Sequence, residues 1–176
     1  SKALLEKLSG ERIIGYRAPN FSISEELLYL IKDLGFEYDS SYNPCSWNSR
    51  YGRLPKCHDS DPFVHISGVR EIPIPVATVN GREIPIGGGF FFRFLPLPIF
   101  EKLTCKYLQE HDSFVLYLHP WEIDPNQPRV QGLRWDYAFR HYYGIAGTES
   151  KLRRFIEKHH DACLFSTLDR YFERQG

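Results

Sequence analysis

Residues 13–39, IIGYRAPNFSISEELLYLIKDLGFEYD, decide the fold class. They read as a short apolar strand, Ile13-Ile14-Gly15-Tyr16, then a helix, then a second short strand, Phe36-Glu37-Tyr38, which delivers Asp39. Ser22 followed three residues later by Glu25 predicts a capping box at the helix start. Leu27, Leu28, Ile31 and Leu34 recur at helical spacing and predict its buried face. Gly35 stands where a glycine ends a helix. Strand–helix–strand over so short a span is the unit of a parallel sheet, because parallel neighbours need a crossover connection.

The alternation continues on both sides. Upstream, Leu4, Leu5 and Leu8 predict one more helix face, stopped at Gly10. Residues 40–69 lose all periodicity and read as a loop-rich insertion. Residues 70–93 predict an extended hairpin around Asn80-Gly81, confined by Pro73, Pro75 and Pro85 to edge or irregular strands. A helix follows from Pro98 to Gln109, with Ile99, Leu103 and Tyr107 inward and Pro98 in its first turn. Phe114-Val115-Leu116-Tyr117-Leu118 has the unbroken apolar character of a buried parallel strand. Residues 124–147 read as loop. Thr148 is the expected cap of a helix through His160 that buries Leu152, Phe155 and Ile156, and Ala162-Cys163-Leu164-Phe165 is a last strand. The fold class is α/β, with parallel strands and crossover helices.

Composition narrows the function classes. The 176 residues are about one domain's length. Their 22 Lys+Arg balance 22 Asp+Glu, which excludes the basic stripe that a nucleic-acid partner demands. No apolar run reaches the length of a membrane span. The aromatic share of 15% suits a carbohydrate-facing protein and an aromatic-rich core equally. The four cysteines form no C-x-x-C pair and are read as free thiols. With no apolar leader in SKALLEKLSGER, they predict a cytoplasmic chain. No Met occurs, so the chain is expected to begin downstream of a start residue.

In α/β folds chemistry collects at the carboxyl ends of strands. Three expected strands deliver a polar residue there: Arg17, Asp39 and His119. A histidine held by Pro120 can act as general acid or base near neutral pH, or can simply cap the strand end. Asp39 can hold an imidazolium or accept bonds from the Ser40-Ser41 turn. Arg17 can position a carboxylate as a bidentate donor or form a surface ion pair, and Pro19 is a candidate contact or a plain turn residue. Trp121 is a sugar platform or a ring packed over the strand end.

Other groupings are weaker. Glu122 and Asp124 have no fixed separation that would make them a glycosidase acid pair. Cys57, His58, Asp59, Asp61 and His65 match no zinc spacing and read as a solvated loop. His159 and His160 complement a helix C-terminus. Gly87-Gly88-Gly89 lacks a following Lys-Ser/Thr and opens no clear helix, so it makes no phosphate cradle. No G-x-S-x-G is present.

Three stretches in order carry a family likeness: Gly15-Tyr16-Arg17-Ala18-Pro19, Leu34-Gly35-Phe36-Glu37-Tyr38-Asp39-Ser40-Ser41, and Leu118-His119-Pro120-Trp121-Glu122. Together they resemble the polysaccharide deacetylases, the NodB-like carbohydrate esterases of family 4. Ile84-Pro85-Ile86-Gly87-Gly88-Gly89-Phe90-Phe91-Phe92-Arg93 and Pro120-Trp121-Glu122-Ile123-Asp124-Pro125 are similar to the bacterial branch tied to exopolysaccharide and exosortase loci. The resemblance runs from Ser1 to about Phe165.

The resemblance implies a distorted (β/α) barrel and metal-dependent removal of acetyl groups from N-acetylated sugars of a polysaccharide, with zinc the usual divalent metal. It implies that Arg17 orients a catalytic aspartate and that His119 protonates the departing amine. Leu118 then lines an acetyl pocket, Trp121 and Pro19 contact substrate, and Asp39 lies near the carboxylate that tunes the histidine. Trp47 is a candidate aromatic wall.

The departure lies at the front. The family's Thr-Phe-Asp-Asp-like strand and its His-Ser/Thr-x-x-His segment, which carry the base and the metal ligands, do not occur in this sequence. Residues 1–176 are therefore expected to be the C-terminal part of one deacetylase-like domain, a partial barrel without its first strands, its metal ligands or its base. Such a piece is expected to be inactive alone and to self-associate through open strand edges. The alternatives are a non-catalytic carbohydrate-binding or interaction domain, with Trp121, Tyr142 and Tyr143 as platform, and a degenerate family member with a scaffolding role.

Overall fold

The computed structural model describes residues 1–45, 52, 54 and 60–173. Trp47 and the Cys57-His58-Asp59 run lie outside the described residues. The chain divides into two compact units, Ser1–Ile74 with Ser166–Gly176, and Pro75–Phe165.

The first unit contains α1 (Lys2–Ser9), β1 (Gly15–Tyr16), α2 (Glu25–Asp33), β2 (Tyr38–Asp39), β3 (Phe63–Val64), β4 (Arg70–Glu71) and, from the far end of the chain, α7 (Leu168–Glu173). Its sheet runs β1-β2-β4-β3. β1, β2 and β4 are parallel, and β3 lies antiparallel on β4. The strand–helix–strand expectation for residues 13–39 thus matches a parallel pair joined by α2. Gly15 is the register partner of Tyr38, and a Cβ there would stand 2.1 Å from the Tyr38 ring. Tyr38 donates its hydroxyl to Asp169, and burial together with that carboxylate raises its pKa.

Several local readings change. Ser24, not Ser22, caps α2, its Oγ accepting the Leu27 N–H at 3.2 Å. Leu28 and Ile31 are buried, but Leu34 lies past the last helical residue and is 55% exposed. The leucines of α1 are all exposed. Arg70–Glu71, expected on an edge, lies between two neighbouring strands. The expected insertion at 40–69 begins buried, from Ser40 to Asn43, and contains β3. The unit's core gathers Ile23, Leu28, Ile31, Phe36, Tyr42, Leu54 and Val69.

The second unit holds β5 (Ala77–Val79), β6 (Arg82–Ile84), α3 (Gly89–Phe94), α4 (Leu97–Glu110), a 3-10 turn (Pro120–Ile123), α5 (Trp135–Tyr142) and α6 (Ile145–His159). β5 and β6 form the expected hairpin; Asn80 and Gly81 both take positive φ, as the tight turn requires. In α4, Phe100, Thr104 and Tyr107 form the buried stripe, whereas Ile99 faces solvent.

Further expectations fail here. Gly89 does open a helix, the six-residue α3. Phe114–Leu118 is half-buried and, among the described residues, makes a single parallel bridge, Tyr117 to Gly88; without strands on both sides an apolar run does not become sheet. Residues 124–147 contain α5, and α6 starts at Ile145, so Thr148 lies inside it and returns its hydroxyl to the Gly144 carbonyl. Residues 162–165 form no strand, because the N–H groups of Ala162 and Cys163 both bond back to His159 O. The core packs Ala77, Ile86, Phe92, Phe100, Tyr107 and Phe155. Cys105 and Cys163 carry free thiols. Among the described residues no helix is long and apolar enough to cross a membrane.

Candidate functional site

The residues expected to converge belong to different units. Leu118, His119 and Trp121 belong to the second; Arg17, Pro19 and Asp39 belong to the first.

In the second unit a buried ion pair organises the histidine turn. Arg93 Nε donates to Glu122 Oε1 at 3.0 Å, and the two side chains are 1% and 3% exposed. A buried pair is tolerable only if its remaining hydrogen-bonding capacity is used. Here it is. Arg93 Nη1 donates to the carbonyls of His141 (3.0 Å) and Tyr143, and Nη2 to that of Arg140 (3.2 Å). These acceptors belong to the end of α5, where helix carbonyls lack partners of their own. Glu122 Oε2 accepts the backbone N–H of His119 at 2.9 Å, fixing the start of the 3-10 turn. Gly89 is needed beneath the pair: a Cβ there would stand 2.2 Å from both Glu122 oxygens.

On this footing His119 is exposed. Its ring stacks on Trp121 (centroids 5.7 Å apart, planes 10° apart), and Trp121 stacks in turn on His141 (4.1 Å, 15°). The Arg93 guanidinium stands 5.4 Å from the indole centroid. His141 Nε2 meets Gln127 Oε1 at 2.9 Å. The Gln127 amide nitrogen donates to the Trp121 carbonyl at 2.7 Å. Leu118 packs against the core cluster. Asp124 is exposed and accepts the Asn126 N–H, so it stands apart in role from buried Glu122.

In the first unit Arg17 follows β1 directly. Its Nε and Nη2 donate to Ser40 O and Ser40 Oγ, each at 2.7 Å. Pro19 is exposed and begins a short 3-10 turn, Pro19–Phe21, in which Asn20 and Phe21 both hold φ near +55, a left-handed conformation costly for a bulky side chain. Asp39 is fully buried. Its Oδ1 accepts Ser41 Oγ (2.8 Å) and its Oδ2 accepts Ser41 N (2.9 Å). The Ser41 hydroxyl also accepts the Ala18 N–H at 2.7 Å.

Beside Asp39 lies Glu71, equally buried. Its Oε1 accepts the N–H groups of Ser41 (3.1 Å) and Tyr42 (2.8 Å), while Oε2 has no donor. Burial raises the pKa of Asp39, against the pull of its hydrogen bonds and of Arg17. Burial and the Asp39 charge raise that of Glu71 much further. One proton on Glu71, donated to Asp39, satisfies both groups. Closed off from solvent, this pair can hold Ser41 and the strand ends in register.

Sequence reading missed Arg93, Gln127, His141 and Glu71. Arg93 carried a signal: one charged residue inside the apolar run FFFRF asks for a buried partner, whereas Glu71 stands beside Arg70 and reads as half of a surface pair.

What fold and site define is a mixed helix-and-strand chain with an exposed histidine seated on a buried ion pair. The chain belongs to the family described as a domain of unknown function, DUF3473, which matches residues 40–173. That domain is found in exopolysaccharide-associated proteins of the polysaccharide deacetylase family. No curated protein and no solved structure matches the chain.

Proposed function

We propose that this chain is part of a NodB-like polysaccharide deacetylase that removes acetyl groups from N-acetylated sugars, within a distorted (β/α) barrel. The observation that carries the reading is the seat of His119: an exposed imidazole on a turn locked by the buried Arg93–Glu122 pair. An amide nitrogen leaves only when protonated, and a histidine held at a surface with its backbone fixed is suited to deliver that proton. Arg17 keeps its proposed part in orienting the catalytic aspartate of a strand outside these residues, with Asp39 near the carboxylate that tunes the histidine. Leu118, Trp121 and Pro19 remain the proposed substrate contacts.

The reaction class calls for a divalent metal, zinc in most relatives. The described residues do not fit one: among them no three His, Cys, Asp or Glu side chains stand close enough to share an ion. Within this proposal the metal ligands and the base come from outside the described residues.

The test is His119→Ala in a parent protein that carries those motifs. Acetate release from N-acetylated oligosaccharides falls by about 100-fold or more, and bound metal stays unchanged. Undiminished release removes His119 from the chemistry. For the 176-residue chain itself, stoichiometric zinc or measurable acetate release contradicts the reading.

A second reading, a non-catalytic carbohydrate-binding domain, is favoured by α5, which buries no residue and leaves Trp135 79% exposed beside exposed Tyr137, Phe139 and Tyr143. Titration of the chain with acetylated oligosaccharides separates the two. Tight binding by these residues alone supports the binding domain.

A further inference from the structure

We infer that His141 is a positioning residue for His119, acting through the indole of Trp121. The inference rests on His119 being the functional side chain of this unit.

Three observations carry it. First, the rings form one series, His119 on Trp121 and Trp121 on His141, with successive planes only 10° and 15° apart. The Trp121–His141 contact is the tighter, at 4.1 Å between centroids against 5.7 Å. A tilt of the indole is therefore opposed first at the His141 side.

Second, His141 is itself fixed at both ends. Its carbonyl accepts Arg93 Nη1 at 3.0 Å, and its ring meets Gln127. The Gln127 amide nitrogen faces two backbone carbonyls, Trp121 O (2.7 Å) and Asp124 O (3.2 Å). Those two bonds orient the amide, so its oxygen points at His141 and must accept a proton from Nε2. The tautomer of His141 is thus set by Gln127, and the same Gln127 holds the backbone of Trp121.

Third, the two imidazoles are keyed to opposite partners of one ion pair: His119 through its N–H to Glu122, His141 through its carbonyl to Arg93. Any change in that pair moves both ends of the ring series together. Ring stacking of this kind restrains orientation through the ring faces and keeps the ring edge, where the nitrogens lie, out of the contact.

The experiment is a histidine-selective NMR spectrum of the 176-residue chain, read at the Hε1 signal of His119, which senses the ring current of Trp121. His141→Phe keeps a ring against the indole and loses the Gln127 bond; His141→Gln keeps a polar side chain and loses the ring. The expected result is a His119 signal near its wild-type place in His141→Phe and shifted toward the free-histidine position in His141→Gln. The inference is overturned if His141→Gln leaves the signal in place, or if His141→Phe displaces it as far. His141→Ala takes the place of His141→Gln if the latter does not fold, as judged by circular dichroism. In the parent protein His141→Gln lowers kcat by about 10- to 100-fold with KM little changed, the cost of misplacing a group by roughly an ångström, and His141→Phe restores most of it. If His119→Ala leaves acetate release intact while the NMR coupling holds, the deacetylase reading fails and the positioning stands.

Discussion

Asp39 and Glu71 are register partners on neighbouring parallel strands, so their buried carboxyls share one face of the sheet. Both pKa values are raised on folding. The stability that the protonated pair contributes is therefore complete below the unfolded carboxyl range and is lost as pH rises through the folded values. Glu71→Gln offers Asp39 an N–H donor that cannot ionise. Wild type is expected to lose stability relative to the variant as pH rises above the ordinary carboxyl range and through the raised folded values. Urea unfolding across that range measures it, and parallel pH curves for the two proteins contradict the shared proton.

Arg93→Ala leaves Glu122 charged and buried with no counter-ion. The expected loss is about 3–5 kcal/mol of unfolding free energy. Arg93→Lys recovers little, because an ammonium has no planar fork to reach both Glu122 and the three α5 carbonyls. A loss in Arg93→Ala below about 1 kcal/mol reduces the pair to the worth of a surface contact.

Two glycines in the second unit give opposite signs when changed to alanine. At Gly89 the new Cβ meets the Glu122 carboxylate, and overpacking of about 1–3 kcal/mol is expected. At Gly147, inside α6 with nothing within 4 Å of a Cβ, helix propensity gains up to about 1 kcal/mol. Thermal midpoints of the two variants that move in the same direction contradict this assignment.

Ser24→Ala removes the side-chain acceptor of the Leu27 N–H and costs about 1 kcal/mol. Ser22→Ala, outside the helix, stays within about 0.5 kcal/mol of wild type. The reverse order in a denaturant titration returns the cap to Ser22.

Where local chemistry decides an element, the sequence was legible. Gly10 and Gly35 end their helices with positive φ, Asn80-Gly81 turns its hairpin, and Pro98 sits in the first turn of α4. The β1–α2–β2 unit was readable for the same reason. What failed depends on distant partners. β4 is two residues long and owes its assignment to β2 and β3 on its flanks, not to its own pattern. Phe114–Leu118 has the composition of a strand but lacks the neighbours. α5 carries Trp135, Ala138, Phe139 and Tyr142 at helical spacing, but polar and glycine-rich flanks on both sides made the stretch read as loop. At the site, His119 and Trp121 stood out because they directly follow the apolar run Phe114–Leu118, with Pro120 between them. Arg93 and His141 did not, since their meaning lies in bonds to residues far along the chain.

That distance gives the histidine turn an order of assembly. Arg93 reaches Glu122 across 29 residues and the Tyr143 carbonyl across 50. Until Tyr143 has been synthesised and has docked, the guanidinium has only part of its acceptor set and Glu122 is without a finished counter-ion. The fixed backbone of His119 therefore depends on residues far along the chain, unlike the hairpin and α4, whose contacts are local. A chain cut between Phe94 and Leu118 separates Arg93 from Glu122, and the fragment that carries the histidine no longer holds it.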